Sequence, residues 1–241
     1  MGEQQEGLLE VDGLAVAYGR AIALSQVSFK VEEAGVTGVI GPNGAGKTTM
    51  LNAISGVLSP RRGKVIWNGR EITGHSSQEV SRIGVIQVPE GRRLFPELTV
   101  LENLRVGSVA VGLPAEKHLD FVLEVFPELK RMLGRRAGAL SGGEQQMVAI
   151  GRGLMAEPRL LMVDELSLGL APKAAQRLVD ALADLAQSRG LAILLVDQNV
   201  RLLARRVERF TVISHGEVVF TGGVAELSDD SALAAYMGRG A

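Results

Sequence analysis

The sequence contains no cysteine. This absence excludes disulfides, thiol nucleophiles and zinc–thiolate sites, and it suits a reducing cytosol. The sequence also lacks a large excess of positive or negative charge, because it has 26 basic and 27 acidic side chains and a net charge of −1. A near-balanced charge gives no support for a broad nucleic-acid or anionic-membrane binding surface. We therefore expect no nucleic-acid partner.

Long apolar runs are missing as well. The runs Leu160–Val163 and Leu191–Val196 are far shorter than the ~20 residues that a membrane-spanning helix needs. The first ten residues, Met1–Glu10, carry three glutamates and lack the basic and apolar regions of a signal peptide. With 46% hydrophobic and 22% charged residues among 241, the chain can bury a sizeable core. We expect a soluble, cytoplasmic, globular protein.

Short strands dominate the first part of the chain. Apolar segments bounded by glycine or polar residues predict strands, and they are Leu8–Val11, Ala15–Tyr18, Val27–Val31 and Val36–Ile40. Within Lys64–Ile72, the pair Asn68-Gly69 predicts a hairpin turn. These segments indicate antiparallel hairpins, followed by a strand that leads into a helix.

The middle of the chain, from about 100 to 156, has helical spacing of its apolar residues. After Pro158 strands and helices alternate again. The pattern predicts a strand at Leu160–Val163, a helix at Pro172–Gln187 and a strand at Leu191–Val196. A hairpin is predicted around His215-Gly216. The whole pattern favours an α/β fold: a parallel core with a helical insertion at about 92–156 and an antiparallel edge region.

A phosphate-binding motif follows the strand Val36–Ile40. The segment Gly41-Pro42-Asn43-Gly44-Ala45-Gly46-Lys47-Thr48 matches the pattern G-x-x-x-x-G-K-[ST], and the residues from Thr49 onward open a helix. Glycines let the backbone N–H groups point at phosphate oxygens, and the helix N-terminus adds positive partial charge. Lys47 supplies a cation for the outer phosphates, and the Thr48 hydroxyl is a ligand for Mg²⁺.

A pair of acids ends the apolar run Leu160–Val163. Asp164 and Glu165 would lie at the carboxyl end of a buried strand, where ligands of open α/β sheets bind. Asp164 is predicted to hold Mg²⁺, and Glu165 is predicted to polarise the attacking water as the catalytic base. Capping of the next turn is the alternative role for these acids, and the nearby phosphate loop weakens it.

A third motif, Leu140-Ser141-Gly142-Gly143-Glu144-Gln145-Gln146, resembles the signature motif of ATP-binding-cassette (ABC) ATPases. The resemblance covers about 8–235. It implies a P-loop NTPase cassette with a RecA-like parallel sheet core, an antiparallel β subdomain and a helical insertion. The whole chain, 1–241, would be one cassette, with its core in about 8–91 and 157–241 and its helical signature subdomain in about 92–156.

The resemblance also implies a dimer in which two ATP molecules lie between two cassettes. Ser141, Gly142 and Gly143 would contact the ATP bound by the partner cassette. The alternative is an ordinary helix start, with Glu144 completing a capping box, and both roles are compatible. Tyr18 matches the aromatic residue that stacks on adenine, with a strand-end core aromatic as the alternative.

Several positions depart from the family pattern. Glu90 occupies the place of a glutamine that touches Mg²⁺, and Gln87 is the alternative three residues earlier. Gln198 occupies the place of the switch histidine; it can donate a hydrogen bond to the γ-phosphate but cannot titrate. In the loop after the acid pair, Leu166 replaces a common proline and Ala171 replaces the usual aspartate.

With these departures the chain resembles the Liv-type cassettes of branched-chain amino acid importers. The segments that carry this resemblance are Val88–Arg92, Asp164–Pro172 and Val196–Asn199. The resemblance implies an ATPase on the inner face of the cell membrane. Its partners would be transmembrane permease subunits, a second cassette that is either homologous or identical and, indirectly, an extracytoplasmic substrate-binding protein. We expect the helical insertion and the segment Glu90–Glu97 to face the permease, with Arg92, Arg93, Leu94 and Phe95 exposed. The alternative is that Leu94 and Phe95 pack under the insertion. The alternatives are a urea or short-chain amide importer, a soluble ABC ATPase acting on DNA or ribosomes, and a regulatory module without turnover.

Overall fold

A computed structural model describes residues 8–229 of the chain. The strands are β1 (Leu9–Tyr18), β2 (Ala21–Val31), β3 (Gly35–Ile40), β4 (Arg62–Trp67), β5 (Arg70–Glu71), β6 (Val85–Val88), β7 (Leu160–Asp164), β8 (Ala192–Asp197), β9 (Arg209–Ser214) and β10 (Glu217–Gly223). The α-helices are α1 (Lys47–Ile54), α2 (Ser77–Arg82), α3 (Val100–Ala110), α4 (Leu119–Val125), α5 (Gly142–Leu154), α6 (Pro172–Arg189), α7 (Val200–Leu203) and α8 (Val224–Asp229). Two 3-10 helices, Pro127–Met132 and Ala137–Ala139, lie between α4 and α5.

The strands form one sheet in the order β5-β4-β1-β2-β10-β9-β3-β8-β7-β6. Strands β9, β3, β8, β7 and β6 run parallel to one another, whereas β10 runs antiparallel to β9. Strands β1, β2, β4 and β5 pair antiparallel. Strands β2 and β10 join the two parts through a single register pair, Gln26 with Glu217. The predicted α/β architecture with a parallel core and an antiparallel edge is confirmed.

The parallel strands are covered on both faces. Along β8, Ile193 and Leu195 point into the core that packs under α5 and α6, whereas Leu194 and Val196 point into the core shared with α1 and the antiparallel strands. Side chains of a strand alternate between its two faces. A strand that is buried on both faces therefore reads as a continuous apolar run, which is why the sequence shows this strand so clearly.

The two predicted hairpins are confirmed, and several other elements differ from the predictions. Asn68 and Gly69, like His215 and Gly216, have positive φ, as a two-residue hairpin turn requires. The predicted strands Leu8–Val11 and Ala15–Tyr18 are one strand, β1, whose register shifts around Gly13. Strand β2 starts earlier than predicted, and β6 and α2 were not predicted.

The carboxyl ends of four parallel strands meet at one edge of the sheet. Ile40 pairs with Asp197, Asp164 with Val196, and Val88 with Val163. The loops that leave these strands therefore converge, as in other open α/β sheets. They carry the phosphate motif, the acid pair, Gln198 and Glu90.

The segment between β6 and β7 is helical, as predicted, and α3 packs closely on α5. The close approach depends on Gly107, because a methyl group there would lie 2.0 Å from the Arg152 carbonyl oxygen. Within residues 8–229, no helix is both long and apolar enough to cross a membrane. The assignment of the whole chain to a single cassette domain stays a prediction.

We expect Gly107→Ala to lower the free energy of unfolding by about 1–3 kcal/mol, the usual cost of overpacking a core. Alanine stabilises a helix by up to ~1 kcal/mol relative to glycine. A lower free energy of unfolding would therefore be caused by the clash with α5 and not by helix propensity. Chemical denaturation measures the effect. Gly134→Ala is the matched control, because a methyl group at Gly134 meets nothing within 4 Å. Equal stability of the two variants would contradict the packing assignment.

Candidate nucleotide-binding site

The phosphate motif forms a tight loop between β3 and α1. Gly44 and Gly46 have φ of 78° and 104°, a region that glycine enters without steric cost. A methyl group at Gly46 would lie 2.5 Å from a Leu24 methyl carbon, and one at Gly41 would lie 2.3 Å from the Ile213 carbonyl oxygen. The loop therefore needs glycine both for its backbone angles and for its contact with the neighbouring strands.

Lys47 is the first residue of α1, and its side chain is only 5% exposed. Its Nζ donates to the carbonyl oxygens of Gly41, at 2.8 Å, and Pro42, at 3.2 Å. The same ammonium lies 3.0 Å from Oε1 of Glu165. A buried charge needs partners of this kind. Lys47 thus joins the phosphate loop to the acid pair.

Asp164 ends β7 and is 1% exposed. Burial, together with the smaller effect of the charges of Glu165 and Glu90, raises the pKa of its carboxyl from the usual 3.8 to about 6. The Thr48 hydroxyl opposes the rise, although neither carboxylate oxygen of Asp164 has a hydrogen-bond partner of normal geometry. Two unpaired oxygens in a buried carboxylate are costly. They are suited to a ligand that brings positive charge.

Glu165 adopts a left-handed backbone with φ of 47°. Its N–H donates to the Val196 carbonyl at 2.8 Å, which fixes the residue against β8. Burial raises the pKa of its carboxyl, and Lys47 opposes that rise. One oxygen, Oε2, is buried without a partner. Strained backbone of this kind costs about 1–3 kcal/mol and is concentrated at functional sites.

Asp197 is a site residue that the sequence analysis did not identify. It is 0% exposed and accepts three hydrogen bonds of 2.9 Å, from the N–H and hydroxyl of Ser167 and from the N–H of Asn199. It therefore ties the loop after Glu165 to the loop that carries Gln198. A charged residue directly after an all-apolar parallel strand was the available signal.

Gln198 and Glu90 are exposed residues that line the same cavity, of about 330 Å³. Its other lining residues are Ala23, Asn43, Gly44, Gly46, Lys47, Thr48, Thr49, Glu165 and Leu168. Gln87 lies elsewhere, because its amide bonds to the Ser55 hydroxyl and the Asn52 side chain. The structure thus brings Glu90 to the site and keeps Gln87 away from it.

Tyr18 lies at the end of β1, and its side chain is 54% exposed. Its hydroxyl is 3.4 Å from the Thr49 hydroxyl on α1. The alternative role of Tyr18 as a core aromatic does not fit this exposure. Its ring is free to stack at the mouth of the phosphate loop.

The signature motif begins α5. Ser141 caps the helix, and Glu144 completes a capping box by accepting from the Ser141 N–H at 2.7 Å and from its hydroxyl at 2.8 Å. These hydrogen bonds, led by the one from the backbone, lower the pKa of the Glu144 carboxyl. The helix cap that was the alternative role for this motif is therefore present. It fixes the position of Ser141 at the start of α5.

The expectation that Arg92 and Leu94 are exposed is wrong, whereas Arg93 is exposed as expected. Arg92 is partly buried, and its guanidinium donates to the Gln145 side chain at 3.0 Å and to the Leu168 carbonyl at 3.3 Å. Leu94 packs against the core, whereas Phe95 is 48% exposed, as expected. The sequence pattern did not show the inward turn of Arg92, because its partners lie 53 and 76 residues away.

The fold and the converging loops define the chain as a P-loop ATPase. A model of the ABC transporter family matches residues 24–167. The chain is 39% identical over 233 residues to BraG of Pseudomonas aeruginosa, a high-affinity branched-chain amino acid transport ATP-binding protein, covering 96% of this chain and 100% of that protein. It is 35% identical to a probable branched-chain amino acid transport ATP-binding protein, LivF, of Archaeoglobus fulgidus, covering 91% and 94%.

The solved structures that superimpose on this chain are likewise described as ABC transporter cassettes. The ADP conformation of MJ1267, an ATP-binding cassette of an ABC transporter, superimposes with a TM-score of 0.86 at 28% identity, covering 97% of this chain and 100% of that one. The dimeric structure of MJ0796, a bacterial ABC transporter cassette, gives a TM-score of 0.79 at 26% identity, covering 90% and 98%. The chain belongs to the ABC transporter family and is one of its ATPase cassettes. The family resemblance seen in the sequence is confirmed.

Asp164 makes the stability of the protein depend on pH. Its carboxyl holds a proton more tightly in the folded chain than in the unfolded one, so its ionisation lowers the free energy of unfolding as the pH rises from about 4 to about 6. Without Mg²⁺ or nucleotide, we expect Asp164→Asn to be stabilising at pH 8, by roughly 3 kcal/mol for a shift of two pKa units. Below pH 4 the gain should vanish.

Denaturation with urea at several pH values measures this difference. Asp12→Asn, which changes an exposed carboxyl, is the control and should show no comparable pH-dependent gain. A gain for Asp164→Asn that is equal at pH 4 and pH 8 would show that burial of the charge is not its cause.

Proposed function

We propose that the chain is the ATP-hydrolysing, nucleotide-binding subunit of a membrane importer for branched-chain amino acids. The observation that carries the proposal is the convergence of the phosphate loop, the acid pair and Gln198 around the buried Lys47–Glu165 ion pair. The substrate class comes from BraG and LivF, whose names describe branched-chain amino acid transport.

In this proposal the triphosphate lies on the loop 41–48. Backbone N–H groups of the loop and the start of α1 bind its oxygens, and Lys47 donates to the outer phosphates. A phosphate at Lys47 competes with Glu165 for the ammonium, which frees the Glu165 carboxylate. Tyr18 stacks on the adenine ring.

The residues present fit a magnesium ion that arrives with the nucleotide. Asp164 offers two unpaired oxygens, Thr48 a hydroxyl and Glu90 an exposed carboxylate. Residues 8–229 contain no group of three or more His, Cys, Asp or Glu side chains arranged to hold a metal alone. This is expected, because Mg²⁺ is usually bound by one or two carboxylates plus substrate phosphates. The ion would neutralise charge on those phosphates.

Glu165 and Gln198 act on the terminal phosphate. Glu165 accepts a hydrogen bond from the attacking water and orients it in line with the γ-phosphorus. A bond forms from the water oxygen to the γ-phosphorus, and the bond to the β–γ bridging oxygen breaks. ADP leaves, and the proton of the water passes through the Glu165 carboxylate to the inorganic phosphate. Gln198 donates a hydrogen bond to a γ-phosphate oxygen. Positioning and electrostatic stabilisation supply most of the rate in such reactions.

A second cassette completes the site. Ser141, Gly142 and Gly143 stand at the N-terminus of a 13-residue helix, which favours an anion, and we assign that anion to the nucleotide of the partner. The dimeric structure of the MJ0796 cassette supports the pairing of two cassettes.

The permease docks beside the segment Glu90–Glu97. An apolar groove of about 490 Å³ lies there, between α3, α5 and β6, and Val57, Val106, Ala110 and Arg152 are among its lining residues. The Asn103 side chain bonds to both the N–H and the carbonyl of Phe95, at 2.9 and 3.0 Å, and so fixes the backbone of this exposed residue. A cytoplasmic permease helix would place the chain on the inner face of the membrane, and a substrate-binding protein outside would deliver the solute.

We expect Glu165→Gln to bind ATP, form ATP-dependent dimers and lose turnover by about 10²–10⁴-fold, the usual share of a catalytic base. Phosphate release and size-exclusion chromatography with ATP measure the two effects. Glu71→Gln, an exposed change on β5, is the control and should keep wild-type turnover. Undiminished hydrolysis by Glu165→Gln would remove Glu165 from its role.

We expect Phe95→Ala to reduce transport by at least about tenfold, as loss of an interface anchor does, while ATP hydrolysis by the isolated cassette is unchanged. Uptake of leucine and, separately, of urea into proteoliposomes with the assembled importer measures transport and distinguishes the two solute classes. Val219→Ala, at an exposed position on β10, is the control. Unimpaired transport by Phe95→Ala would contradict the docking assignment.

A further inference from the structure

The turn after Glu90 has a strained backbone. Gly91, Arg92 and Arg93 follow one another with φ of 74°, 65° and 46°. Non-glycine residues rarely adopt this region, and they persist in it where the surrounding structure holds them. Here Arg152 of α5 holds them, donating to the Arg93 carbonyl at 2.8 Å and to the Arg92 carbonyl at 3.0 Å. The shape of the turn is therefore tied to helix α5.

The side chain of Arg92 returns to the same helix. It donates to Gln145, which precedes Arg152 by seven residues, and residues seven apart lie on one face of a helix. Its second nitrogen donates to the Leu168 carbonyl in the loop after the acid pair. A methyl group at Gly142 would lie 3.1 Å from that nitrogen and 3.4 Å from the Gly169 carbonyl oxygen. The guanidinium thus stands beside the signature glycine.

We propose that Arg92 is a positioning residue for the nucleotide site of the opposing cassette. Through its contacts with Gln145 and the Leu168 carbonyl, it holds the start of α5, which carries Ser141–Gly143, in place. This inference rests on the proposed two-cassette site, in which Ser141–Gly143 complete the partner's site. Loss of Arg92 therefore impairs hydrolysis in the partner chain more than in its own chain.

The role requires the shape of arginine. Its planar guanidinium sends one nitrogen to Gln145 and another to Leu168, whereas lysine offers a single point charge on a flexible stem. Arg92→Lys should therefore behave like Arg92→Ala. Gln145→Ala, which removes a contact partner and leaves the strained turn unaltered in sequence, should reproduce the effect.

The test uses heterodimers assembled from two differently tagged chains, each with a single intact Glu165. In the first, one chain carries Arg92→Ala and the other Glu165→Gln, so the active site faces a signature segment with Arg92. In the second, one chain carries both changes and the other is wild type, so the active site faces a signature segment without Arg92. The reference is wild type paired with Glu165→Gln.

We expect the first heterodimer to hydrolyse ATP at the reference rate and the second to be about tenfold slower, since misplacement of a site by ~1 Å costs up to 10²-fold. A general folding defect would slow both heterodimers, because both contain one altered chain. The ATP affinity of isolated Arg92→Ala should match the wild type. Arg205→Ala, at an exposed arginine after α7, is the control and should leave both rates unchanged.

Equal rates in the two heterodimers, or a slower first one, would overturn the assignment of Arg92 while leaving the proposed function intact. The same conclusion would follow if both Gln145→Ala and Arg92→Lys retained reference activity in the second arrangement. Absence of ATP-dependent dimers or ATP hydrolysis in the wild-type chain would overturn the proposed function, and the role of Arg92 with it.

Discussion

The site depends on the buried ammonium of Lys47. It bonds to two carbonyl oxygens of the phosphate loop and pairs with Glu165 across the sheet edge. Breaking a buried ion pair by removing one partner leaves an uncompensated charge and costs about 3–5 kcal/mol. The pair therefore constrains the loop after β3 and the loop after β7 together. Every other site residue is arranged around that contact.

The negative charges of the site are less well satisfied than its positive charge. Asp164 has two buried oxygens without partners, and Glu165 has one. Burial raises the pKa of both carboxyls, so the folded chain is less stable when they are ionised. In the proposed function, a divalent cation that arrives with the nucleotide would relieve this cost. The same two side chains would therefore affect both the free energy of unfolding and the affinity for the nucleotide.

Local patterns in the sequence were sufficient for much of the fold and for the centre of the site. The phosphate loop, the acid pair and the two hairpins each depend on neighbouring residues, so a short segment carries the whole signal. Helix α6 was also predictable from local residues, because proline stands at its start and Gly190, in the left-handed region, at its end. The strand β6 was missed because four residues are too few to show a period.

The parts that the sequence did not reveal depend on distant partners. The role of Asp197 requires Ser167, 30 residues away, and the inward turn of Arg92 requires Leu168. No periodicity or motif records such contacts. The choice between Glu90 and Gln87 also depends on distant residues. The Gln87 amide forms hydrogen bonds with Asn52 on α1 and with Ser55 just after that helix.

The seam between the two parts of the sheet has a mechanical consequence. Strands β2 and β10 share one register pair, whereas Tyr18 belongs to the antiparallel part and the acid pair to the parallel part. In the proposed function, a nucleotide that reaches from Tyr18 to Glu165 therefore spans the junction between the two parts of the sheet. Its base would contact one part and its phosphates the other, so that binding would couple the two parts.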